Sequence, residues 1–357
     1  MTDFAIGLPV SFEAAILLQA EGTQLRFRMV ITVVIPTYNR RQSLAYCLES
    51  LFRQTYPCDH FEIIVVVDGS TDDSREYLRQ LKFPCASQVI EQRNEGQASA
   101  RNAGIRAANG KYILLLDDDF VCDASLIEEH IKWHSSEGIV VVGPILRDLG
   151  DQSLPAIAVD REIRPFYEHR ITGTRPSAWL PPNSSLERDV LLACGGYDEE
   201  FASAREDTEL GMRLADHGTN LYYAPEAVVH QRYGKSASAL VADAALFGKN
   251  DVRLLRKRPD YLAFCNLSQV DQGSLWKRLG RRLVSAVPFS LEPLLTLPYL
   301  LMEGFNDKGG LREVGIRLLN LRRYIVWLRS AVSEAGSWNR LTALIEGARK
   351  TTGGYTG

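Results

Sequence analysis

Between residues 29 and 142, short aliphatic and β-branched runs alternate with stretches whose apolar residues recur at helical spacing. Strands are predicted at 31–35, 62–67, 87–91, 112–116 and 139–142. Helices are predicted at 43–52, from 97 to near 110, and at 125–134. A further helix follows the second strand, with Ser70-Thr71-Asp72-Asp73 as its N-cap segment and its acids in the first turn. Runs such as 63–67 have no polar alternation, as in strands buried on both faces. The rhythm predicts an α/β fold with a largely parallel sheet covered by helices, and ligands in such sheets bind beyond the strand C-termini.

Past this rhythm the pattern loosens. Residues 144–185 are richer in Pro, Gly and Ser and read as irregular connections, with helical patterns returning at 187–193 and 207–217. From about 235 the chain reads as mostly helical. Its most apolar stretch, 284–302, is broken by Pro288, Glu292, Pro293 and Pro298, which argues against a membrane-spanning helix. Residues 311–332 mix Leu, Ile, Val and Trp327 with five arginines, a pattern that suits an interfacial amphipathic helix or packing onto the preceding domain.

The expected organisation is therefore an N-terminal arm (1–28) outside the fold, a catalytic domain (29–234) and a helical C-terminal extension (235–357). Within the domain, 29–143 carry the βα rhythm and 144–234 the looser pattern. Charge divides along the same line. The net charge of −3 conceals 20 Lys and Arg against 10 Asp and Glu in residues 231–357, so the extension is expected to attract anionic partners, including membrane head groups. The six cysteines form no C-x-x-C pair, and no basic segment precedes an apolar run at the N-terminus. Both features suit a reduced, cytoplasmic setting, with peripheral contact at the inner face of a membrane through the basic tail.

Three carboxylates, Asp117-Asp118-Asp119, follow directly on the fourth apolar run. Such crowding at the end of a central strand is costly without a cation. A hard divalent ion, Mn²⁺ or Mg²⁺, held by one or two of these carboxylates and sharing oxygens with a diphosphate relieves it. Pro36-Thr37-Tyr38-Asn39-Arg40 close the first strand: Pro36 ends the ladder, Thr37 and Asn39 can hydrogen-bond, and Tyr38 can stack on a base. Asp68, in Val67-Asp68-Gly69-Ser70 after the second strand, is placed to accept from a base N–H.

Taken together, Pro-Thr-Tyr-Asn, Asp-Gly-Ser and Asp-x-Asp in this order resemble the family 2 glycosyltransferases over about residues 30–233. The resemblance implies the GT-A fold, a nucleotide-diphosphate sugar donor with UDP favoured, a divalent metal (Mn²⁺ or Mg²⁺) held by Asp117 and Asp119, and transfer with inversion to a glycan or lipid-linked acceptor. Val67 departs from the family, which commonly has a second Asp there, so the base contact falls to Asp68. By the same resemblance Asn94, Gly96 and Arg101 lie beside the diphosphate, together with Asp117 and Asp118. In Arg205-Glu206-Asp207, Asp207 is the general base and Glu206 its support. His230 matches the family's distal metal ligand. On this resemblance 29–143 form the nucleotide-binding part and 144–234 the acceptor side, which includes the Gly195-Gly196-Tyr197-Asp198 turn, and Arg232 or Lys235 could close over the diphosphate.

Other classes fit less well. A sugar-nucleotide-forming nucleotidyltransferase needs a Gly-rich basic loop after the first strand, where this chain has Pro36-Thr37-Tyr38-Asn39. A dehydrogenase needs G-x-G-x-x-G there. A catalytically silent sugar-nucleotide-binding protein has no need of Asp117, Asp119, Asp207 and His230 together. Nothing in the pattern indicates a nucleic-acid partner.

Overall fold

A computed structural model describes residues 29–134, 138–148, 150–168, 180–232, 234–286 and 310–352. The expected arm at 1–28 and most of the apolar stretch at 284–302 lie outside the described residues. The βα rhythm forms strands β1 (Ile31–Thr37), β2 (Phe61–Asp68), β3 (Ala86–Gln92) and β4 (Tyr112–Leu115). Between them lie helices α1 (Arg41–Leu51), α2 (Ser74–Gln80) and α3 (Gln97–Ala107). Every residue of β1 and β2 is buried, which is why their sequences lack alternation.

After β4 come β5 (Phe120–Cys122), α4 (Leu126–Trp133), β6 (Ile139–Val142), β7 (Ile145–Arg147), α5 (Leu154–Glu168), β8 (Ser184–Glu187), α6 (Arg188–Ala193), α7 (Glu206–Asp216), β9 (Asn220–Tyr223) and β10 (Val229–Gln231). The main sheet has the order β3-β2-β1-β4-β8-β6-β9, and a small second sheet the order β5-β10-β7. β1 pairs in parallel with both β2 and β4, whereas β8 runs antiparallel to β4 and β6. The chain moves outward from β1 to β3 and then returns to β4 on the other side of β1. That reversal opens a crevice beyond the C-terminal ends of β1 and β4, where Tyr38 and Asp117 leave the sheet.

Two local expectations are corrected. Ser70 does not cap α2: that helix begins at Ser74, and Asp72 instead accepts from the backbone N–H groups of Ser74 and Arg41. The stretch at 144–185 is not merely irregular, since it holds β7, α5 and the start of β8. β8 escaped notice because it is Ser-Ser-Leu-Glu, with no β-branched residue. Its Ser184 and Ser185 are nevertheless fully buried, and the Ser185 hydroxyl is shared by His130 at 2.9 Å and His134 at 2.7 Å.

The C-terminal part is helical: α8 (Ala237–Lys257), two 3-10 turns (Pro259–Phe264 and Asn266–Gln269), α9 (Leu275–Ala286), α10 (Gly310–Ala335) and α11 (Trp338–Thr351). It forms a second core in which Val252, Leu255, Trp327, Leu328, Leu341 and Ile345 join Phe201 and Met212 from the preceding part. The stretch at 311–332 falls within α10, whose Ile316, Leu319, Val326, Trp327 and Leu328 are buried among other helices. Of its two expected roles, packing is the one observed. No described helix is long and apolar enough to cross a membrane.

Candidate functional site

The crevice at the strand reversal holds a cavity of about 400 Å³. β1 and the turn after it contribute Pro36, Thr37, Tyr38 and Arg40 to its lining, β2 contributes Asp68, and the turn after β4 contributes Asp117, Asp118 and Asp119. Asn94, Gly96, Gln97 and Ala100 enter from the start of α3, while Ser203, Gln231 and Lys235 close the other side. Most of the residues expected at the nucleotide site therefore converge. Asn39 is close by but has another role: at φ 52° its Oδ1 accepts from the Thr71 and Asp72 N–H groups, tying the β1 turn to the β2 turn. Tyr38 is 46% exposed, a ring available for stacking.

Asp68 anchors the next turn. Its carboxylate accepts from the N–H groups of Glu95 and Gly96, each at 2.9 Å, and from Gln92 Nε2 at 2.9 Å. Gly96 has φ 92°, and a Cβ there would lie 2.8 Å from Ala202, so only glycine lets the chain enter α3 this close to Ala202. Asp68 thus spends its capacity shaping the floor, and the expectation that it reads a base edge is not what the hydrogen bonds display.

The aspartate triplet is surrounded by cations and donors. Asp118 accepts from Thr37 Oγ1 at 2.7 Å and from Arg40 at 3.0 Å; Asp119 accepts from the same Arg40 at 3.0 Å and from Gln231 at 3.3 Å. Asp117 accepts from Arg101 at 2.7 Å and Gln97 at 2.9 Å. Burial pushes Asp118 up to about 7 against the pull of Arg40, with Asp119 adding to the rise. Asp119 is raised by burial and by Asp117, again opposed by Arg40. The crowding anticipated from the sequence is therefore present in three dimensions, with guanidinium groups as the available counter-charge.

The donor set suits a hard divalent cation. Asp119 Oδ1 is buried with no hydrogen-bond partner, and an orphaned carboxylate oxygen is costly unless a ligand completes it. Among the described residues, no three His, Cys, Asp or Glu side chains already converge on one point; the carboxylates turn toward Arg40 and Arg101 instead.

Two expectations change here. His230 does not face the triplet: in β10 it pairs with Val121 while Gln231 pairs with Phe120, and its imidazole lies 3.3 Å from Asp123. Alternation along the strand gives Gln231 the inward position. Arg101, expected at the diphosphate, is only 3% exposed and bridges Asp117 and Glu206, the latter at 3.1 Å. Its guanidinium also lies 5.2 Å from the centre of the Tyr197 ring. It connects the triplet to the acid pair. Of the two basic residues considered for closure, Lys235 lines the cavity and Arg232 instead stacks on Tyr46 at 3.8 Å.

The acid pair opens α7, entered through Arg205 at φ 71°. Glu206 is buried, and burial together with Asp207 raises its carboxyl to about 7 despite the counter-pull of Arg101. Asp207 is half-buried and its Oδ1 accepts from the Thr208 N–H at 2.7 Å. Neither acid is among the described lining residues of the cavity, which on that side reaches Ser203. Gln97, Ser203 and Gln231 were not anticipated. Only Gln97, three residues past Asn94 at the start of a predicted helix, carried a signal in the sequence.

The description "Glycosyl transferase family 2" matches residues 32–184. Validoxylamine A glucosyltransferase of Streptomyces hygroscopicus subsp. jinggangensis is 30% identical over 264 residues, which cover 65% of this chain and 62% of that one. Poly(ribitol-phosphate) beta-glucosyltransferase of Bacillus spizizenii is 38% identical over 111 residues, 30% of this chain and 17% of that one. The chain thus spans less than two thirds of the length of these relatives. Among solved structures, the mannosyltransferase PcManGT of Pyrobaculum calidifontis, in complex with GDP-Man and Mn²⁺, superposes with a TM-score of 0.58 over 88% of each chain at 18% identity. With its strand order and its carboxylates at the sheet reversal, the chain has the GT-A fold, and its residues 32–184 match glycosyl transferase family 2.

Proposed function

We propose that the protein transfers a sugar from a nucleoside-diphosphate donor, UDP-linked in first preference, to a hydroxyl of a glycan or lipid-linked acceptor, with inversion at the anomeric carbon. The observation that carries this reading is the cavity of about 400 Å³ at the β1/β4 reversal, lined by Asp119, whose Oδ1 is buried without a hydrogen-bond partner. The family match and relatives described as glucosyltransferases support it.

In this reading Tyr38 stacks on the base, and the α3 N-terminal turn at Asn94 and Gly96 borders the diphosphate. A divalent cation held by Asp117 and Asp119 would neutralise charge on the departing diphosphate. Asp207 accepts the acceptor's proton as its oxygen attacks the anomeric carbon and the bond to the diphosphate breaks. Half-buried Asp207 suits this role better than Glu206, whose carboxylate is enclosed and held by Arg101. Arg40 and Lys235, both on the cavity wall, are the cations closest to hand for a leaving diphosphate.

The test is a binding and turnover screen of UDP-, GDP- and dTDP-sugars with and without Mn²⁺, read by calorimetry and by release of nucleoside diphosphate. Binding of one donor class that depends on Mn²⁺, followed by slow donor hydrolysis, is expected. Absence of binding to all three would overturn the reading.

A further inference from the structure

α9 is oriented the reverse of what folding alone would favour. Its sequence, Leu-Trp-Lys-Arg-Leu-Gly-Arg-Arg-Leu-Val-Ser-Ala, divides by helical spacing into two faces. Leu275, Trp276, Leu279, Leu283 and Ala286 fall within an arc of about 100°, Lys277, Arg278 and Arg281 lie on the other side, and Arg282 borders the arc beside Leu275. An amphipathic helix normally buries the first face. Here Trp276 is 81% exposed, Leu283 70%, Leu275 60% and Leu279 39%, and α9 has no buried residue.

The fold itself holds this orientation. Arg281 donates to the backbone carbonyls of Gln269 at 2.8 Å, Val270 at 3.3 Å and Gln272 at 2.7 Å, at the end of the preceding 3-10 turn. Arg281, Val284 and Ser285 are the half-buried positions of the helix. The polar side is thereby tethered to the body, and the leucines and tryptophan point away from it.

We infer that α9 is a docking element for an anionic membrane surface, lying in the interface with its apolar arc among the acyl chains and the exposed Lys277, Arg278 and Arg282 at the head groups. The charge pattern selects this occupant. The helix has four basic residues and no acidic one, so its flanks complement anionic lipid. A second copy seated on the same face would set these cations against each other. A tryptophan beside leucines, flanked by Lys and Arg, is the composition that settles at a lipid boundary. This inference is independent of the proposed transfer reaction.

The full chain should co-sediment with phosphatidylcholine vesicles containing phosphatidylglycerol and not with phosphatidylcholine alone, and high salt should release it. Tryptophan emission should shift to the blue on binding, a shift lost in Trp276→Phe. The double variant Trp276→Ser/Leu283→Ser and the triple variant Lys277→Glu/Arg278→Glu/Arg282→Glu should each weaken vesicle binding about tenfold or more. All five residues are exposed, so the melting temperature should stay unchanged. Equal binding to both vesicle types, binding to neither, or undiminished binding by both variants would overturn the inference. So would self-association of the wild type that Trp276→Ser abolishes, since that would make a second copy the occupant.

Discussion

Asp251, on α8, is fully buried and its Oδ1 lies 2.5 Å from the Nε of Arg205, the residue that leads into the acid pair. The same carboxylate accepts from Tyr261 Oη and from Trp327 Nε1, each at 2.6 Å. Arg205 stands in the left-handed region at φ 71°, a conformation that costs a non-glycine residue energy unless its surroundings hold it. The helical extension thus fixes the start of α7 through one carboxylate.

Asp251→Ala would leave three donors without their shared acceptor, and breaking such a buried ion pair costs about 3–5 kcal/mol. Urea unfolding should show this loss. Asp251→Asn keeps the volume, and its turnover should fall more than its donor affinity, since the displaced element is α7 and not the nucleotide cavity. Unchanged turnover in a folded Asp251→Asn protein would show that Arg205 holds its place unaided.

Asp119→Ala is expected to abolish metal-dependent turnover, and chelation of the wild type to do the same. Arg40 now spans Asp118 and Asp119, so it competes with any cation that approaches them. Arg40→Met should therefore bind Mn²⁺ about tenfold more tightly in the absence of nucleotide, as expected when a neighbouring positive charge is removed at short range. Calorimetry without donor measures this directly.

Arg101→Lys distinguishes a bridging role from a phosphate-binding one. A lysine cannot make the forked contact that joins Asp117 to Glu206. Turnover should drop by about a hundredfold while the affinity for nucleoside diphosphate changes by only a few-fold, the pattern of a group that acts on geometry more than on ground-state binding. A large loss of nucleotide affinity would return Arg101 to the phosphates.

Two buried histidines set the acid limit. Burial lowers His130 to about 4, and burial together with His130 and Lys111 lowers His134 to about 3. Both ordinarily titrate near 6.5. Between those values the unfolded chain binds protons that the native protein refuses, so stability is complete above about 6.5 and falls as pH drops toward 4. His134→Phe, which retains the stacking on Tyr112 now at 4.1 Å, should flatten the fall in melting temperature over that window.

Glu206 gives the opposite slope. Its carboxyl is raised to about 7 by burial and by Asp207, so the native state holds a proton that the unfolded chain releases above about 4.3. Its contribution to stability is complete below that value and declines as pH rises through 7. Glu206→Gln should gain in melting temperature relative to wild type on going from acidic to mildly alkaline buffer. A constant difference across pH would contradict the assignment.

The sheet and its reversal were legible because continuous apolar runs such as 63–67 are required of doubly covered strands, and the crevice follows from strand order. The aspartate triplet was legible because carboxylates cannot crowd at a strand end without compensation. The partners of each charge were not. Arg101 resembled a phosphate ligand because sequence offers no sign of Glu206 arriving from 105 positions away. Gln231 and not His230 lines the cavity, through a strand register set by Phe120 and Val121. β8 and α5 were missed for a related reason: serine hydroxyls shared with histidines, and contacts with late helices, replace the local apolar pattern as the source of their stability.

α7 presents Leu210 and Leu214 to the sheet core and Met212 to the helical core, and Phe201 just ahead of it also belongs to the latter. The seam between the two cores therefore runs through the element that bears the acids and not through the chain after β10. Chimaeras built to exchange acceptor preference among relatives should be joined upstream of Phe201. A graft made after Gln231 would inherit one half of a shared helix without the partner it evolved against.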